Sequence, residues 1–165
     1  MRVTRHLKSK HFEPRGSLYT IYNQHDFDTK FVQDKISKSF QGVIRGFHGD
    51  DKTWKLISCI HGLIKLVTYD VDSDERREFI LDGDSREHQS VLVPPRTLNA
   101  HQCLSFNCIF HYKWSEYYTR PEDQWSVNFN DFHINPMWDD SIPTIINDRD
   151  RNAPSLLDLK KHIKC

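Results

Sequence analysis

A chain of 165 residues is long enough to bury a core and matches the size of one domain, here taken as 1–165. Hydrophobic residues make up 37% and charged residues 28%, a polar globular composition rather than a disordered one. Lys+Arg and Asp+Glu are both 23, so there is no basic excess of the kind that nucleic-acid binding needs. The N-terminal MRVTRHLKSKHFEPRG lacks the apolar core of a signal peptide, and no apolar run is long enough for a membrane span. Cys59, Cys103, Cys108 and Cys165 form no Cys-x-x-Cys pair, which argues against zinc. The expectation is a cytoplasmic protein whose reduced thiols fill the core.

In chain order, SLYTIY (17–22), GVIRGFH (42–48), WKLISCIHG (54–62), LIKLVTYDV (63–71), REFIL (77–81), SVLVP (90–94) and CIFHYKW (108–114) read as strands. They are rich in Val, Ile, Tyr and Phe and are bounded by Gly, Pro and Asp-Ser turns. His61-Gly62 between two runs marks a hairpin, and VDSDERRE and LDGDSREHQS read as polar turns. In VPPRTLNAHQC the prolines end a strand and Ala100-His101 opens the next. Strands at this spacing predict a sandwich or jelly-roll barrel. APSLLDLKKHI (153–163) alone has helical periodicity, with Leu156, Leu157, Leu159 and Ile163 apolar. The fold class is all-β, a barrel with a short C-terminal helix.

Ten histidines make imidazole chemistry worth seeking, since the ring titrates near neutral pH. His48 is either a satisfied polar residue at a strand end or a base; Arg45 and Lys55 lie in the same strand-turn-strand unit. By parity Arg45 and His48 point to opposite faces unless a bulge intervenes. His101 is a turn histidine or lines the same cavity. A metal site of His-x-His and Glu is not present in FHGDDKTWK, so no metal and no other cofactor is expected. Phe110, Tyr112 and Trp114 share a strand face as core, or as a ligand wall in which a tyrosine hydroxyl seeks a partner. Asp148 and Asp150 either cap the C-terminal helix or orient a histidine.

Taken together, FVQDKISKS (31–39), GVIRGFH (42–48), TWKL (53–56), NAH (99–101), YKWSEYY (112–118), FND (129–131) and NDRDRNAP (147–154) resemble the dTDP-4-dehydrorhamnose 3,5-epimerase family. The resemblance runs from about Phe12 to Pro154. It implies a cupin-type jelly roll, a homodimer, no metal, and a nucleotide-diphospho-sugar as substrate. By the same resemblance His48 is the catalytic base, Asp150 the carboxylate that orients it, Tyr112 the general acid, and Lys55 the cation beside the substrate carbonyl. Arg45, His101, Asn99 and Tyr118 fall on substrate-holding positions, Arg15 and Gln33 on nucleotide-contacting ones. The chemistry suits these types: a ketone at C4 acidifies the C3 and C5 hydrogens, and a neutral imidazole can remove one.

The chain departs from the family pattern at Gly49-Asp50 after the motif histidine, at Thr20 and at Phe129. HGDDKTWKL, PPRTLNAH and PEDQ look closer to a branch acting on GDP-linked 4-keto-heptoses in capsule pathways. A 3,4-ketoisomerase and a non-catalytic sugar-binding barrel are the rival readings.

Overall fold

The computed structural model describes residues 2–163. Two five-stranded sheets face each other. The first runs in the order β1 (Thr4–Ser9), β9 (Glu87–Val93), β6 (Lys55–His61), β11 (Asn107–Trp114), β4 (Gln33–Phe40). The second runs β12 (Trp125–Ser126), β5 (Ile44–Gly49), β10 (Thr97–Cys103), β7 (Leu63–Asp70), β8 (Arg76–Asp82). All their pairings are antiparallel, so the architecture is the expected cupin-type jelly roll. A separate hairpin, β2 (His11–Glu13) with β3 (Gly16–Leu18), pairs with neither sheet.

Alternation along the strands builds two apolar layers. Ile57, Cys59, Ile64, Leu66, Val91 and Phe110 meet between the sheets. On β7 and β10 the residues of opposite parity, Val67, Tyr69, Leu98 and Ala100, form a second layer outside. The helix α2 (Leu156–Ile163) covers that layer with Leu156 and Leu159. β7 is therefore apolar on both faces, which is why LIKLVTYDV reads as a nearly continuous run. Cys59, Cys103 and Cys108 are buried free thiols, and burial pushes Cys59 up to about 12, far from a nucleophile's range. Cys165 lies outside the described residues. No helix among the described residues is long and apolar enough to cross a membrane.

The structure corrects several expected elements. SLYTIY is a strand only as far as Leu18; the chain then leaves the hairpin so that Tyr19 packs on His88 and Tyr22 on Phe27 and Phe31. Aromatic residues here serve loop-to-sheet packing rather than a ladder. β1 and β4 were not foreseen, because TRHLKS and QDKISKSF carry little Val or Tyr and expose much of their outer face. β10 begins at Thr97 rather than at Ala100. α2 begins after Ser155, whose hydroxyl accepts the Asp158 N–H at 3.1 Å. Neither Asp148 nor Asp150 caps it. Both lie in a separate turn of helix, α1 (Asp148–Arg151), capped by the Asn147 side chain. The hairpin at His61-Gly62 is found as expected; Gly62 has φ +77°, and a Cβ there would lie 2.2 Å from the Asn107 carbonyl.

Candidate active site

The parity problem at β5 is resolved by a bulge. His48 pairs with Asn99 and Arg45 with His101, so β5 spends three residues where β10 spends two. Arg45 and His48 thereby face the same cavity, of about 200 Å³, between the two sheets. Gly46 carries the bulge at φ +117°, and a Cβ there would sit 2.5 Å from Asn99 O and 2.6 Å from Ala100 Cβ. Phe47, swung outward by the same step, is fully buried in the layer beneath α2.

Asp150 reaches the bulge from α1. One carboxylate oxygen accepts the Gly46 N–H at 3.0 Å and the other lies 2.8 Å from His48 Nε2. Burial alone would raise the Asp150 pKa; the His48 hydrogen bond and charge, the Gly46 N–H and Arg149 outweigh it and leave the carboxyl below its ordinary value. An ionised carboxylate only accepts, so His48 donates to it from Nε2, the arrangement that in a neutral ring leaves the Nδ1 lone pair facing away from Asp150.

The opposite wall comes from the first sheet. Tyr112 and Trp114 on β11 and Lys55 on β6 line the cavity. Lys55 is 4% exposed, donates to Asn99 Oδ1 at 3.2 Å, and has its Nζ 4.9 Å from the Trp114 ring centroid. Burial lowers its pKa to about 8, a fall that Asp50 opposes and Lys35 reinforces. Burial raises the Tyr112 phenol above its usual value, with Arg45 opposing and Tyr118 reinforcing, so it stays protonated as a donor. His101 stacks on Phe110 with centroids 4.0 Å apart. Burial first, then the charges of Arg45 and His48, depress its pKa to about 3. Its Nε2 is buried with no partner among the described residues, as is the Ser37 hydroxyl.

Of the ten residues singled out from the sequence, His48, Asp150, Tyr112, Lys55, Arg45, His101, Asn99 and Tyr118 line this one cavity. Two do not. Gln33 supports it from behind, its Oε1 accepting the Tyr118 N–H at 2.8 Å. Arg15 sits on the β2–β3 hairpin, 84% exposed beside Glu13, outside the cavity of its own chain. Lys35, Gln124, Asn147 and Arg149 line the cavity and were missed. Lys35 and Ser37 share parity with Gln33 in FVQDKISKS, a signal that a strand assignment for β4 would have exposed. Among the described residues no three His, Cys, Asp or Glu side chains converge as metal ligands.

A sequence model described as dTDP-4-dehydrorhamnose 3,5-epimerase matches residues 3–158. The chain belongs to the dTDP-4-dehydrorhamnose 3,5-epimerase family. It is thus a member of a family of isomerases. Family enzymes of that name include one from Salmonella typhimurium, 31% identical over 87% of this chain and 85% of its own length. Another, from Methanothermobacter thermautotrophicus, is 32% identical over 80% of this chain and 75% of its own. The crystal structure of the family enzyme from Bacillus anthracis, with TDP and PPi bound, superposes with a TM-score of 0.81 at 28% identity, covering 92% of this chain and 93% of that one.

Proposed function

We propose that this chain is one catalytic domain that inverts C3, C5 or both of a nucleotide-activated 4-keto-sugar, without a metal or other cofactor. The observation that carries the reading is that His48, hydrogen-bonded to Asp150, and Tyr112 line one cavity from facing sheets. His48, aligned by Asp150, belongs to the second sheet; Tyr112 belongs to the first. A sugar ring held between them meets a proton acceptor on one face and a donor on the other, which is what inversion requires. His48 Nδ1 takes the hydrogen made acidic by the C4 ketone. Lys55 steadies the resulting enolate oxygen, a charge that exists only after deprotonation. Tyr112 then delivers a proton to the opposite face.

The rest of the cavity suits a diphosphate. Lys35, Arg45, Lys55 and Arg149 line it, and among the described residues Asp150, itself committed to His48, is the one carboxylate in its wall. The names of the curated relatives make dTDP-4-keto-6-deoxyhexose the first substrate to try. Incubated with it in heavy water and followed by NMR, the enzyme is expected to exchange the C3 or C5 hydrogen and yield inverted product. Exchange absent with both hexose and heptose substrates would refute the reading. Movement of the carbonyl would instead mark a ketoisomerase. The Gly49-Asp50 and Thr20 departures favour a GDP-linked sugar, and GDP is expected to raise the melting temperature more than dTDP at equal concentration.

A homodimer belongs to the same proposal. It is supported by the β2–β3 hairpin, which leaves Phe12 and Leu18 52% and 76% exposed, and by Ile36 and Phe40 at the open edge of β4. A partner's cavity would also give Arg15 a role that its own chain does not. Sedimentation is expected to show twice the chain mass.

A further inference from the structure

A second cavity, about 330 Å³, adjoins the reaction cavity and shares Trp114, Tyr118 and Gln124 with it. Its other walls are Asp50, Asp51, Lys52 and Thr53, from the loop after β5, and Tyr117, Thr119 and Asp123 from the segment after β11. Two N–H donors at the junction have no acceptor among the described residues: Trp114 Nε1, on a side chain 4% exposed, and Gln124 Nε2. A buried donor without a partner costs stability, so its persistence in the wall of two connected cavities points to a ligand oxygen that completes it.

We propose that this second cavity takes a hydroxylated substituent on the sugar ring, larger than a methyl group, and that Trp114 and Gln124 select for it. The inference rests on the epimerase reading above. A hydroxyl can accept from Trp114 and Gln124 while donating to an acceptor such as Asp50, Asp51 or Thr53 on the far wall; a methyl can do neither. Three carboxylates against one lysine make the cavity unfavourable to a diphosphate, whose counter-charges lie in the first cavity. Its position fits a ring substituent: Asp50 is two residues beyond His48, and its charge acts on Lys55.

The test compares two nucleotide-linked 4-keto-sugars, one with a methyl group at C5 and one with a dihydroxyethyl group there, by solvent-deuterium exchange. The wild type is expected to favour the hydroxylated substrate in kcat/KM by about tenfold or more, since a site built to bind a hydroxyl discriminates strongly against its absence. Trp114→Phe, which keeps an aromatic ring and deletes the N–H, and Asp51→Trp, which fills the second cavity, are each expected to bring that ratio toward one. The ratio is taken within one preparation, so partial misfolding of a variant cancels. Exchange of both substrates at equal efficiency by the wild type, or an unchanged ratio in both variants, overturns the proposal and leaves the epimerase intact. Exchange of neither substrate removes the epimerase reading and the proposal with it.

Discussion

At Asp150 one buried carboxylate accepts two hydrogen bonds, from Gly46 N–H and from His48, and so fixes a backbone bulge and a tautomer together. The proton-transfer roles proposed for His48 and Tyr112 are separable by experiment. His48→Asn is expected to abolish both inversion and uptake of deuterium, because nothing else in the cavity is placed by a carboxylate to accept a carbon-bound proton. Tyr112→Phe keeps the ring contacts with Phe110 and Trp114 and deletes the hydroxyl. His48 still removes a proton and can return one to the same face, so deuterium enters with little inversion. Each loss of product should be about 10²–10⁴-fold. Inversion at the normal rate by Tyr112→Phe, or exchange by His48→Asn, would contradict the assigned roles.

Among the elements, β5 decides whether the site exists. Regular alternation would turn His48 away from Arg45; the extra residue at Gly46 turns it back. Gly46→Ala places a methyl against the backbone of Asn99 and Ala100 and forces a positive φ on a residue with a side chain. The expected cost is roughly 1–3 kcal/mol of stability, read by denaturant unfolding. Turnover should fall about 10²-fold even in the folded fraction, since a displacement of His48 near 1 Å suffices for that. A fully active, fully stable Gly46→Ala protein would show that the bulge does not need glycine. The same element shows a limit of strand reading: GVIRGFH is legible as a strand, but the bulge within it depends on what β10 and α1 place opposite.

For the whole molecule, two buried histidines set the response to acid. Burial is the main cause that lowers His101 to about 3 and His88 to about 4, the latter helped by Lys10, His111 and Lys8. Their unfolded-state value is near 6.5. The unfolded chain therefore binds more protons than the folded one below about 6.5, and stability falls as pH drops through that window. Between pH 6.5 and 4.5 each histidine should remove roughly 2 kcal/mol. Both ring nitrogens of His88 lack partners among the described residues, so His88→Leu should flatten the decline of melting temperature without removing it. An equal slope in the variant would place the acid sensitivity elsewhere. Lys55 acts at the other end: lowered to about 8, it makes stability rise with pH from about 8 to 10.5.

Apolar runs and turn residues determine an all-β barrel, because alternation and hairpin chemistry are properties of the chain itself, and the resemblance carried by seven separated motifs adds the jelly roll and eight of the cavity's residues. Of the departure Gly49-Asp50, Asp50 lines the cavity beside Trp114, whereas a Cβ on Gly49 would face Thr97 and Leu98 of β10. Only the tertiary structure decided which polar residues meet. Lys35 joins Tyr118, 3.3 Å above its ring, because β4 pairs with β11 across a long separation in sequence. Arg149 enters the wall because α1 docks beside β5, and Arg15 stays out because its hairpin belongs to neither sheet. Trp114 read as core from its parity, and it is buried; that its N–H lacks an acceptor among the described residues, at the junction of two cavities, follows from the packing of strands and loops far apart in the chain. Local physics fixes which face a side chain takes, while the identity of its neighbours is a non-local property of the packed sheets.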